Sequence, residues 1–203
     1  MKTSPALIAA ALLACVVLNS TARAQLNAGL LGQRYAGLSL FSESIRHSDL
    51  SNGIGGGLGV NLPLTPYLDL GVSGSSESFS DYEVKDVRAS AGLTAYRDFN
   101  AFKGFVDTSL GGTWQSSEVN GISYRENDGL YAFGAGIEAP FTDTSALFAR
   151  VAYNHYFQRD HGHYWTYTAG ANHWFNEKFG ASLSVTYFES SSIIYTLGVN
   201  VRF

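Results

Sequence analysis

The sequence predicts an all-β fold: a closed antiparallel up-and-down transmembrane β-barrel of about ten strands, with eight as the nearest alternative count. Three observations carry this. Apolar residues recur with period two, not 3.6, along segments of roughly ten residues. The connections between segments alternate in character, tight ones taking turns with longer polar ones. The prolines beyond the N-terminal leader (Pro63, Pro66 and Pro140) all fall in expected tight turns, as a hydrogen-bonded ladder requires.

Taken in order, the first segment alternates Ala36, Leu38 and Leu40 with Gly37 and Ser39. The second sets Ile54, Leu58, Val60 and Leu62 against Gly55, Gly57, Gly59 and Asn61. Leu68, Leu70 and Val72 oppose Asp69, Gly71 and Ser73 in the third, and Val87 to Ala95 oppose Arg88 to Thr94 in the fourth. Val106 and Leu110 face away from Asp107, Ser109 and Gly111 in the fifth; Tyr131, Phe133 and Ile137 from Gly134, Gly136 and Glu138 in the sixth. The seventh places Leu147, Val151 and Tyr153 opposite Arg150 and Asn154. Tyr167 and Ala169 mark the eighth, and Leu183 and Val185 the ninth. The last runs Tyr195, Leu197, Val199, Val201 and Phe203 on one face, with Thr196, Gly198, Asn200 and Arg202 on the other.

Tight turns are expected around Pro63–Pro66, Arg97–Asn100, Pro140–Thr144 and Phe175–Lys178. Longer connections are expected at Ser44–Asn52, Ser76–Glu83, Gln115–Asp128 and Gln158–His163, while the one near Glu189–Ser191 is short. The stretch Gln115–Asp128 is the longest and reads as a solvated, turn-rich tip.

Ahead of the barrel lies a leader. Lys2 supplies a positive charge, Ala6–Leu18 is apolar but too short to span a bilayer, and Ala22-Arg23-Ala24 presents the small residues a signal peptidase reads. Cleavage is expected before Gln25, giving a signal peptide at 1–24, a short lead at 25–32 and a barrel at 33–203. A lipid anchor on Cys15 is the alternative, although apolar Val16, Val17 and Leu18 follow that cysteine where polar residues would be expected. Cleavage removes Lys2 and Arg23 and no acid, moving the net charge from −4 to −6, which excludes a nucleic-acid partner. It also removes the single cysteine, leaving no thiol chemistry.

Side-chain volume assigns the two faces. The polar set is mostly Gly, Ser, Thr, Asn and Asp and suits a narrow lumen, while the bulky Leu, Val and Tyr set needs the outer circumference. Aromatic residues gather near strand ends (Tyr67, Trp114, Tyr131, Tyr153, Tyr156, Trp165, Trp174, Tyr187 and Tyr195), where their amphipathic rings suit a bilayer interface. The backbone must be fully paired in lipid, so the sheet has to close.

The leader ending in Ala22-Arg23-Ala24, the alternating strands and the final strand Tyr195–Phe203 resemble the small outer-membrane barrels of the OmpA and OmpX families. The resemblance covers 33–203 in architecture, and its specific part is the terminal strand. It implies that Tyr195 and Phe203 form the signal read by the barrel-assembly machinery, and that the chain sits in the bacterial outer membrane among its lipids and lipopolysaccharide. Those families usually have eight strands where this chain has ten. No wall-binding domain is expected after Phe203.

The candidate site is a set of lumen-facing charges: Arg34, Asp69, Arg88, Asp107, Glu138, Arg150 and Arg202. Both signs occur, so they can fill the lumen as ion pairs, satisfying charges that cannot stay unpaired when buried. The other use of such a set is a gate or selectivity ring in a narrow pore; inward glycines on the second and sixth strands leave space for one. His155, His161 and His163 cluster with Asp160 and could hold a zinc-like metal or form an acid–base pair, but a loop with three histidines and no evident supporting partners reads first as polar surface. Neither a metal nor another cofactor is expected. An outer-membrane lipid A or phospholipid hydrolase, or a protease, is the alternative, as is a loop-mediated adhesin. One deacylase family uses a His-x-Ser pair, whereas here Phe157 stands two places after His155. The expectation is a structural or narrow passive-pore role, without catalysis.

Overall fold

The computed structural model describes residues 28–45, 52–79, 84–119, 122–158, 162–189 and 192–203. The expected signal peptide, Asp160 and His161 lie outside the described residues. Ten strands follow one another: β1 (Tyr35–Ile45), β2 (Gly53–Thr65), β3 (Leu68–Phe79), β4 (Val84–Asp98), β5 (Lys103–Val119), β6 (Ile122–Pro140), β7 (Ser145–Tyr156), β8 (His163–Trp174), β9 (Phe179–Phe188) and β10 (Ser192–Arg202). Each pairs antiparallel with the next, and β1 pairs with β10 from Tyr35↔Arg202 to Ile45↔Ser192, so the barrel closes without a free edge. Closure satisfies the ladder on both sides of every strand, the condition for crossing lipid. Among the described residues no helix is long and apolar enough to cross a membrane.

The faces fall as side-chain volume required. Leu38, Leu40, Leu58, Leu110 and Leu197 point outward and are each 58–69% exposed. The buried apolar residues are instead mainly alanines, with Tyr156 and Trp174, while Asp69, Glu77, Asp86, Glu138 and Asn200 are buried. A barrel that stored an apolar ligand in water would show the reverse. Burial is therefore polar inside and apolar outside, as lipid demands.

Residues 28–34, the C-terminal Phe203 and the four short connections (66–67, 99–102, 141–144 and 175–178) share one end. Short turns mark the periplasmic end of such barrels, so the opposite end faces outward. In the turn after β4, Asn100 adopts φ 71° and its N–H donates to Asp98 Oδ1 at 2.8 Å, a conformation asparagine tolerates better than most residues.

Two expectations change. The stretch Gln115–Asp128 is not a loop: β5 and β6 stay paired out to Val119↔Ile122 and project past their neighbours as a hairpin. Its tip, Asn120-Gly121, is a strong two-residue hairpin signal, but it lies outside the described residues. Pro63 lies inside β2, at a register shift between Pro63 and Thr65, and Pro140 is the last residue of β6. A bulge and a strand end are the two places where a missing N–H is tolerated. Ahead of β1, the lead enters the barrel, with Ala28 and Gly29 buried within its mouth.

Candidate functional site

The lumen has three levels, each built by strand parity. At the periplasmic mouth, residues 28–34 lie across the opening and are held mainly through their backbone. Glu138 accepts the N–H groups of Leu30 (2.7 Å) and Leu31 (3.3 Å), and Asp69 Oδ2 accepts that of Gly32 (2.8 Å). Lys103 Nζ donates to Leu31 O at 2.8 Å, Asn61 Nδ2 to Gln33 O at 2.8 Å, and Trp174 Nε1 to Gly29 O at 3.3 Å. The Arg202 guanidinium lies 3.7 Å from the Trp174 ring centroid, a cation–π contact that closes the cluster. Two carboxylates accepting backbone N–H groups are charge-assisted bonds, stronger than neutral ones. Beside this segment, a crevice of about 480 Å³ opens among Gly32, Gln33, Pro63, Thr65, Tyr67 and Tyr96.

At mid-height Arg150 reaches Asp107 through Nε (2.8 Å) and Nη2 (2.5 Å), a bidentate bridge. The partners come from β7 and β5, so the bridge must pass over β6. It does so at Gly134, where a Cβ would lie 2.7 Å from Asp107 Oδ2 and 2.8 Å from Arg150 Nε. In the outer half Arg88 pairs with Asp86 (Nη2–Oδ2, 2.6 Å), whose other oxygen accepts Thr113 Oγ1 at 2.6 Å.

Of the sequence-predicted charges, Asp69, Arg88, Asp107, Glu138, Arg150 and Arg202 therefore face inward, but they form three separate groups instead of one network. Arg34 differs. It precedes β1, at a position with outward parity, and is exposed. Five lumenal charges were missed: Glu43, Glu77, Asp86, Lys103 and Asp128 are all buried on inward positions. Strict parity extended two to four residues beyond each alternating core would have found them.

The inward glycines do not all leave space. Phe41 covers Gly55, Phe105 covers Gly136 and Phe148 covers Gly170, each ring occupying the place of a missing side chain on the next strand. Tyr156 and Trp174 also point inward, not to the lipid interface, and Tyr164 lies between Tyr156, tilted against it at a centroid distance of 5.8 Å, and Phe188, stacked on it at 5.7 Å. The β5–β9 side of the lumen is thus packed.

The opposite wall is not. A cavity of about 250 Å³ lies against Gly37, Gly59, Asn61, Gly71, Ser73 and Ser90. Nothing lies within 4 Å of a Cβ built on Gly71, and Ser73 is exposed although it faces the lumen.

The histidines lie elsewhere. His155 and His163 face outward, with ring centroids 6.4 and 6.0 Å from Tyr153, inside the outer aromatic girdle. Among the described residues no group of three His, Cys, Asp or Glu could hold a metal ion. Tyr195 on β10 and Phe203 immediately after it are 53% and 65% exposed.

The outer membrane protein beta-barrel domain is matched over residues 7–171. An outer membrane channel from Pseudomonas putida F1 superposes with a TM-score of 0.50 at 10% identity, covering 88% of this chain and 99% of that one. Neisserial surface protein A gives 0.47 at 13% identity over 84% and 96% of the two chains. The N-terminal β-barrel domain of Pseudomonas aeruginosa OprF gives 0.42 at 17% over 84% and 98%. At such identities the likeness concerns the fold alone. No curated protein matches in sequence.

Proposed function

Because the chain belongs to the outer membrane protein β-barrel family, we propose that it serves the bacterial outer membrane as a structural barrel carrying a narrow passive conduit, without catalysis. The observation that supports this best is the asymmetry of the lumen. Phe105, Phe148 and the Asp107–Arg150 bridge fill one side, while Gly71 and Ser73 on the other adjoin a cavity of about 250 Å³. Ion pairs brace the barrel from within. Segment 28–34 narrows the periplasmic mouth, and the crevice beside it leaves a restricted way past.

On this reading the outward leucines meet outer-membrane lipid, and the girdle around Tyr131, Tyr153 and Trp165 meets the lipopolysaccharide boundary. Tyr195 and Phe203 serve the assembly machinery during insertion. The outward setting of His155 and His163 speaks against a hydrolytic centre at the rim.

Single-channel recording of the refolded chain in symmetrical KCl tests the conduit. Small, discrete steps are expected, and Gly71→Leu, which the surrounding space accommodates, should reduce them by filling the cavity. An absence of steps in both wild type and a variant with a loosened N-terminal segment would leave a purely structural barrel.

A further inference from the structure

The inward face of β3 reads Asp69, Gly71, Ser73, Ser75, Glu77 and Phe79. It carries a carboxylate toward each end and only hydrogen or hydroxymethyl side chains between them. Eight residues of strand separate the carboxylates by about 26 Å along β3, or about 20 Å along the membrane normal at the usual strand tilt. The facing inward position on β4 continues the hydroxyl lining, with Ser73 Oγ and Ser90 Oγ 2.9 Å apart.

The two carboxylates share an unusual state. Asp69 is 1% exposed and Glu77 is 5% exposed, yet Asp69 Oδ1 and Glu77 Oε1 have no hydrogen-bond partner among the described residues. A buried carboxylate oxygen left without a donor is costly. Around Glu77 the sign of charge does not balance either. Glu43 reaches it from β1 through a side-chain hydrogen bond, which needs a proton held between the two carboxyls, and Asp86 is its direct cross-strand neighbour. Among the described residues Arg88 is the one cation of that group, and its Nε and Nη2 both donate to Asp86 Oδ2. Like charges directly opposite each other across a ladder are destabilising unless something positive lies between them.

We propose that this face of β3 is a path for small monovalent metal cations, with Glu77, backed by Glu43, as the outer site and Asp69 as the inner one. The proposal rests on the conduit reading and gives it a substrate class. Serine hydroxyls between the carboxylates replace part of a hydration shell, and a ring or pair of carboxylates favours cations over anions. Asp69 is buried directly behind the crevice beside the N-terminal segment, since its ladder partner Pro63 and its hydrogen-bond donor Gly32 both line that crevice, and a cation released there leaves past Gly32 and Thr65.

The test is the reversal potential of the refolded barrel in a planar bilayer under a KCl gradient. Wild type is expected to reverse toward the potassium equilibrium potential. Asp69→Asn and Glu77→Gln should each bring the cation-to-anion permeability ratio toward one, and the double variant further. Glu118→Gln, the same charge change on the projecting hairpin, should leave it unchanged. Steps that reverse at zero in wild type would overturn the cation path while sparing the conduit, and this needs no variant to fold. Unaltered selectivity in folded Asp69→Asn and Glu77→Gln barrels would overturn it as well. Absence of any steps would remove the conduit and the path together.

Discussion

Gly32 and Gly134 show how single positions set the lumen. Gly32 holds φ at 78°, and a Cβ there would lie 2.6 Å from Tyr96 Oη. Gly32→Ala should therefore lift segment 28–34 from the mouth, with a backbone cost of about 1–2 kcal/mol. Hydrogen exchange at the amides of Leu30, Leu31 and Gly32 should speed up while the strands stay protected. Unchanged exchange would mean the carboxylates hold the segment regardless. Gly134 clears the way for the Asp107–Arg150 bridge, so Gly134→Val should separate the pair and cost about 1–3 kcal/mol. Denaturant unfolding of the barrel from lipid vesicles would measure it. Neither role is readable from a glycine in a sequence. Alternation says that a side chain is missing on the inner face, but the register across strands decides whether Phe105, a salt bridge or nothing occupies the place.

The β5–β6 hairpin stands furthest from expectation among the elements. Its polar composition suggested a loop, yet these polar residues stay paired as a ladder out to Val119↔Ile122. The projecting part lies beyond the closed barrel, so shortening it from Ser117 to Tyr124 should leave the heat-dependent shift in gel mobility intact. Loss of the shift would make the hairpin part of the folding unit. The ten strands themselves were readable because each carries its own period-two pattern and needs no partner to be recognised. Six of the seven charges placed in the lumen follow from that same parity. What parity could not supply is contact between distant segments. The docking of residues 28–34 on Glu138 spans more than a hundred positions and depends on where closure brings β6, which no local pattern encodes.

For the whole molecule, outward-apolar and inward-polar faces make lipid the solvent of the outer wall. Leu197 is 58% exposed midway along β10, opposite Leu40 and Leu183. Leu197→Arg should cost about 2–4 kcal/mol if it sits near the bilayer midplane. Thr196→Arg, one residue away, would point into the lumen and report packing there instead. Central to the account is a membrane barrel whose β3 wall faces lipid on one side and a water-accessible slot on the other. The most direct test is a nitroxide scan along β3 in lipid vesicles, from Leu68 to Phe79, reading collision with oxygen and with a water-soluble relaxant. Two period-two patterns out of phase are expected, with Leu70 and Val72 accessible to oxygen and Gly71, Ser73 and Ser75 to the aqueous probe. Protection of Ser73 from both probes would close the slot, and inversion of the two patterns would turn the barrel inside out.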